Sequence, residues 1–102
     1  MTSKVCTLEQ AARAVRDGSQ VVMSASLSRP PMALLRQLVR QGSRGLRTVG
    51  VVGGEINLDY LVGAGVAESV DTCSVTLGEF ARTGPNFARY VTQGRIQALD
   101  NT

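Results

Sequence analysis

The 102-residue sequence predicts an α/β fold, a mainly parallel sheet with flanking helices, in a single domain over residues 1–102. Three observations point there. Helical and β-branched stretches alternate along the whole chain, the links between them are short and bear glycine, and the β-branched runs are too short for free helices. Sequential strands joined by right-handed crossovers bring every strand exit to one edge of the sheet. A chain of this length has one core and leaves much of its surface exposed, so it gains stability from a partner surface.

Residues 7–18, TLEQAARAVRDG, read as the first helix: Thr7 and Gln10 make a capping box, Leu8, Ala11, Ala12 and Val15 share a face, and Gly18 supplies the stop. QVVMS, residues 20–24, is the first strand, expected to be buried. Pro30 and Pro31 suit the first turn of a second helix, where Leu34, Leu35, Leu38 and Val39 form an apolar stripe, Arg36 and Arg40 stay outside, and Gly42 ends the run. LRTVGVVGG, residues 46–54, is a strand expected to be buried on both faces and closed by Gly53 and Gly54. A short third helix carries Leu58, Leu61 and Val62, with Asn57 as its cap and Gly63 and Gly65 as its terminators. ESVDTCSV, residues 68–75, is a further strand, PNFARYVTQG, residues 85–94, a helix opened by Pro85, and RIQAL, residues 95–99, the last strand.

Composition narrows function by exclusion. Eleven Lys and Arg against eight Asp and Glu give a net charge of +3, but the arginines are spread singly along the chain. Tyr60, Phe80, Phe87 and Tyr90 are the aromatic residues, and no basic run, finger spacing or stacking string accompanies them. Nucleic acid is therefore not an expected partner. No signal peptide is expected, no apolar run in the sequence is long enough to span a bilayer, and Cys6 and Cys73 lie far apart, so a cytoplasmic protein without a membrane partner is expected. With no histidine and two lone cysteines, neither a metal site nor a His-based triad is expected. VGVVGG and VGAGVAES invite a dinucleotide reading, but Gly50, Gly53 and Gly54 miss the G-x-G-x-x-G spacing, and Gly63 and Gly65 follow a helix and lack the third glycine.

The strand exits fall at residues 24–29, 53–57 and 76–82, and the edge that gathers them is the expected site, because helix N-termini and backbone N–H groups converge there. Ser24 and Ser26 either offer hydroxyls to a carboxylate or carbonyl, or bond locally and cap the turn before Pro30. Glu55 and Glu79 are the carboxylates near this edge, available as nucleophile or base, or else solvated loop residues.

The stretch KVCTLEQAARAVRDGSQVVMSASLSRPPMALLRQLVRQGSRGLRTVGVVGG resembles the start of the alpha subunit of family I CoA-transferases: a capping helix ending in D-G, a strand entering a tight turn, an R-x-P helix start, then R-Q-G and a following strand. LVGAGVAESVDTCSV is similar to the same subunit's L-x-x-G-x-V segment. FARYVTQGRI resembles an ending shared by glutaconate CoA-transferase alpha subunits and the related CoA-dependent ring hydrolases. The resemblance covers nearly the whole chain. It implies a CoA-transferase fold, apparently truncated to its N-terminal portion, in the alpha part of an acyl-CoA:carboxylate CoA-transferase. The alternatives it leaves open are a CoA-dependent hydrolase subunit and a catalytically silent remnant that acts only in subunit association.

The same resemblance implies that CoA passes from an acyl-CoA to a free carboxylic acid through intermediates on a glutamate of a beta subunit. No catalytic residue is then expected in this chain and no permanently bound cofactor; a coenzyme A thioester is the substrate, and the beta subunit, acyl-CoA and carboxylic acid are the partners. The alpha subunit lends part of the pocket and backbone N–H donors near the reacting carbonyl, each such donor being worth on the order of 3 kcal/mol. Ser24, Ala25, Ser26 and Arg29 occupy the substrate and oxyanion loop, with Ser24, Ala25 and Ser26 standing where the family turn carries glycines. Arg29 matches the arginine ahead of the helix-opening proline, where it either pairs with a carboxylate or a CoA phosphate or remains solvated. Gly53, Gly54, Glu55, Thr76 and Glu79 align with segments that touch substrate.

Overall fold

The computed structural model describes residues 5–24, 30–51 and 53–99. Its elements are α1 (Leu8–Arg13), β1 (Gln20–Ser24), α2 (Met32–Arg40), β2 (Leu46–Val51), α3 (Glu55–Gly63), β3 (Ala67–Asp71), α4 (Pro85–Thr92) and β4 (Gln97–Leu99). The four strands make one all-parallel sheet in the order β1-β2-β3-β4. Strand neighbours in sequence are thus neighbours in space, and right-handed crossovers put α2, α3 and α4 on one face. The helices pack in a row there, α1 on α2, α2 on α3 and α3 on α4. Leu35, Leu38, Leu46, Leu58, Leu61 and Val70 fill the core between this row and the sheet.

The second face of the sheet is open, which corrects the expectation of strands buried on both sides. Register aligns Val22, Val49, Asp71 and Leu99 across that face, and Val22 is 58%, Val51 48% and Leu99 43% exposed. β2 accordingly alternates, with Leu46, Thr48 and Gly50 buried and Arg47 and Val51 exposed, while β1 is an edge strand. A β-branched run specifies extended backbone but not the number of layers that cover it.

Local chemistry explains where the helices start and stop. The Thr7 hydroxyl accepts from Gln10 N at 3.1 Å and Gln10 Oε1 accepts from Thr7 N at 2.9 Å, the expected capping box. α1 nevertheless ends at Arg13, and Leu8 and Ala11 are exposed, leaving Ala12 buried and Val15 half-buried. The segment after it is drawn away from helix by cross-links to the β2 approach: Gly18 N donates to Arg44 O at 3.1 Å and Arg44 N to Asp17 Oδ1 at 3.0 Å. Pro31 sits one residue ahead of α2 as its N-cap, and Pro30 O accepts from Met32 N. α2, α3 and α4 all close with the same pair of bonds, exemplified by Ser43 N to Leu38 O and Gly42 N to Val39 O, and Gly42, Gly65 and Gly94 supply the left-handed residue that this closure requires. Gly63, expected as a terminator, is instead the last helical residue of α3, where a Cβ would lie 2.5 Å from the Asn86 side chain of α4.

Candidate functional site

All four strands point the same way, so their last residues Ser24, Val51, Asp71 and Leu99 lie at one edge of the sheet. The described part of that edge is tied together by short polar bonds. Gly54 N, after β2, donates to Ser74 O, after β3, at 2.8 Å. Thr72 Oγ1 donates to Ser74 O at 3.1 Å, and Thr72 N reaches Leu99 O at 3.3 Å. Gly50 is what lets these loops fold back over β2, since a Cβ there would stand 2.6 Å from Gly53 O and 2.9 Å from Thr72 Oγ1.

Ser24 ends β1 and Gly53, Gly54 and Glu55 follow β2, while β3 ends at Asp71 rather than at the expected residue 75, which leaves Thr76 farther along the loop to α4. Ala25, Ser26 and Arg29 lie outside the described residues. Glu79 is exposed in a tight turn where Leu77 N donates to Ala81 O at 2.9 Å and Phe80 N to Leu77 O at 3.1 Å. Phe80, beside it, is 87% exposed.

Asn57 was expected to cap α3. The structure instead makes Gly54 the N-cap and places Asn57 inside the first turn, fully buried, with Nδ2 donating to Ser24 O at 3.3 Å. A polar side chain thereby bridges the start of α3 and the exit of β1. Asn57 Oδ1 and Glu55 Oε2 are both buried without a hydrogen-bond partner among the described residues. Glu55 also has φ +47°, a left-handed conformation that a residue with a side chain adopts at a cost.

No side chain caps α3, and its first intrahelical bond runs from Leu58 N to Gly54 O at 3.2 Å. The N–H groups of Glu55, Ile56 and Asn57 thus point out of the helix end with no intrahelical acceptor. One turn therefore holds uncapped N–H groups together with two enclosed acceptors that lack a donor among the described residues. Along the β1 edge, an apolar cleft of about 310 Å³ is lined by Val15, Val21, Met23, Ser24, Pro31 and Leu34, and the carbonyl of Ser24 accepts from Asn57.

Asn57, Thr72 and Ser74 were not singled out as site residues from sequence. The legible signal was the pair Asn57 and Asp59 in an otherwise apolar helix, GGEINLDYLVG, where polar residues two apart cannot both face solvent if Ile56, Leu58, Leu61 and Val62 are to be covered.

No protein-family model and no curated protein matches the chain. Solved structures do. The glutaconate coenzyme A-transferase of Acidaminococcus fermentans is similar over 98% of this chain, with TM-score 0.85 and 25% identity. A variant of the AibA/AibB decarboxylase is similar over 95% of this chain, with TM-score 0.73 and 24% identity. The chain spans only 32% and 38% of the lengths of those two chains. The four-stranded parallel sheet, its single row of helices and these likenesses together identify the chain as having a CoA-transferase-like α/β fold.

Proposed function

We propose that the chain forms part of an acyl-CoA:carboxylate CoA-transferase of the cytoplasm, working with a beta subunit that supplies the nucleophilic glutamate. The observation that carries this reading is the likeness to glutaconate coenzyme A-transferase at TM-score 0.85 across 98% of the chain. In the proposed reaction the partner's glutamate carboxylate attacks the thioester carbonyl and expels CoA as thiolate, forming an acyl–glutamyl anhydride. The thiolate then attacks the glutamyl carbonyl, releasing the first acid and leaving a glutamyl thioester. An incoming carboxylate attacks that thioester and expels CoA thiolate again, and the thiolate attacks the new acyl carbonyl to give the product thioester and free glutamate. Each attack builds an oxyanion of the kind that fixed backbone N–H donors stabilise. The apolar cleft beside Ser24 suits an acyl chain.

Neither Glu55 nor Glu79 is assigned as nucleophile. Glu79 sits exposed on a turn and Glu55 has one carboxylate oxygen buried without a donor to orient it. The test is reconstitution: the chain alone, and the chain with a glutamate-bearing beta subunit, are incubated with a panel of acyl-CoAs and acetate, and the enzyme is trapped with borohydride or hydroxylamine. Turnover only in the mixture, with modification on the beta subunit, is expected. A thioester trapped on Glu55 or Glu79 of the isolated chain contradicts the subunit assignment.

A second reading, association without catalysis, is favoured by one feature, the open apolar sheet face bearing Val22, Val51 and Leu99. It predicts a complex whose turnover is unchanged when the chain is withdrawn. The decarboxylase likeness shows that this fold also serves other chemistry, so the reaction rests on the site and its partner.

A further inference from the structure

We propose that the first turn of α3 binds a neutral secondary amide and that, resting on the function proposed above, this amide belongs to the pantetheine arm of the acyl-CoA. Asn57 is 0% exposed, and its carboxamide lies between α3 and the end of β1, one end fixed by Nδ2 donating to Ser24 O at 3.3 Å. Its Oδ1 is left without a donor, and so is Glu55 Oε2 in the same turn. A buried acceptor without a donor costs free energy that a paired one does not, so it marks a place where something outside the fold completes the pairing.

The chemistry of that completing group follows from what the turn offers. Two acceptors need N–H or O–H donors, while the uncapped N–H groups of Glu55, Ile56 and Asn57 need an acceptor. A carboxylate or a phosphate dianion brings acceptors only and meets the negative charge of Glu55. An ammonium or guanidinium brings donors only and meets the positive end of the helix dipole. A secondary amide brings one donor and one acceptor without charge, and so pairs one of the two orphan acceptors and one of the uncapped N–H groups. Coenzyme A thioesters carry two such amides between the sulfur and the nucleotide. Binding the first of them at α3 lays the thioester along the strand-exit edge, next to the cleft that ends at Ser24.

The test uses the full chain, ¹⁵N-labelled and titrated by NMR with pantetheine, with CoA, and with a pantetheine analogue whose two amides are replaced by esters. Pantetheine and CoA are expected to shift the backbone resonances of residues 54–58 and the Asn57 side-chain amide. The ester analogue, which lacks the N–H donors, is expected to bind about threefold to tenfold more weakly, and Asn57→Leu to weaken pantetheine by a similar factor. Equal affinity for the amide and ester forms overturns the proposal, and this comparison needs no variant if Asn57→Leu fails to fold. CoA binding that shifts other strand-exit residues and leaves 54–58 unmoved also overturns it, while the proposed function stands. Pantetheine binding at 54–58 together with exclusion of CoA supports the amide site and removes the function proposed for it.

Discussion

Asp59 and Asn57 are two residues apart on α3, both buried, and their surroundings differ in one respect. Asp59 is fully partnered: Oδ1 accepts from Phe87 N at 2.8 Å and Oδ2 from Asn86 Nδ2 at 3.1 Å, so its carboxylate caps the start of α4. Asn57 is half partnered, with Nδ2 bound to Ser24 O and Oδ1 without a donor among the described residues. Two residues turn a helix by about 200°, which is why one side chain meets the neighbouring helix and the other the strand exits. Buried polarity that is satisfied from within the fold holds elements together; buried polarity left open at the C-terminal edge of a parallel sheet is where a ligand has work to do.

Breaking the satisfied side has the larger effect on stability. Asp59→Ala leaves Phe87 N and Asn86 without their acceptor at a helix N-terminus, a loss of about 2–4 kcal/mol. At roughly 4–8 °C per kcal/mol for a domain of this size, the melting temperature falls by about 8–30 °C, measurable by calorimetry. Gly63→Ala strikes the same interface from the other side, pushing a methyl into the Asn86 carboxamide, and costs about 1–2 kcal/mol in a denaturant titration.

On the unsatisfied side the expected stability changes are small or of opposite sign. Glu55→Gly relieves the φ +47° conformation and removes a buried orphan oxygen, for a gain of about 0.5–1 kcal/mol by urea unfolding. Asn57→Leu trades one bond of 3.3 Å and one orphan acceptor for an apolar group of similar shape, leaving stability within about 1 kcal/mol of the parent. A large destabilisation by Asn57→Leu, comparable to that of Asp59→Ala, erases the distinction between the two residues.

The periodic parts of the chain were readable in advance because their causes are local. The Thr7 and Gln10 capping box, the QVVMS strand, the Pro85 helix start and the Gly42 stop each depend on residues within a turn of one another. α1 stopped short of Gly18 because Asp17 and Gly18 bond to Arg44, a partner distant in sequence. The open face of the sheet was illegible for the same kind of reason: Val22 and Val51 have strand-forming side chains whether or not a second layer covers them. At the site, the strand exits at Ser24 and Gly54 follow from topology, whereas the bridge from Asn57 joins residues 33 positions apart, so the sequence signals a buried polar side chain in α3 but not its partner.

The central claim is that the strand-exit end of α3 binds ligand and the α4 end only holds the fold. The most direct measurement is the shift in melting temperature that saturating CoA produces in the parent chain, in Asp59→Ala and in Asn57→Leu. Ligand at about one hundred times its dissociation constant stabilises the folded state by about 2.7 kcal/mol, well within calorimetric reach. Asp59→Ala is predicted to melt low and keep the full CoA shift, and Asn57→Leu to melt near the parent and lose most of it at the same CoA concentration. A CoA shift retained in Asn57→Leu and lost in Asp59→Ala contradicts the claim.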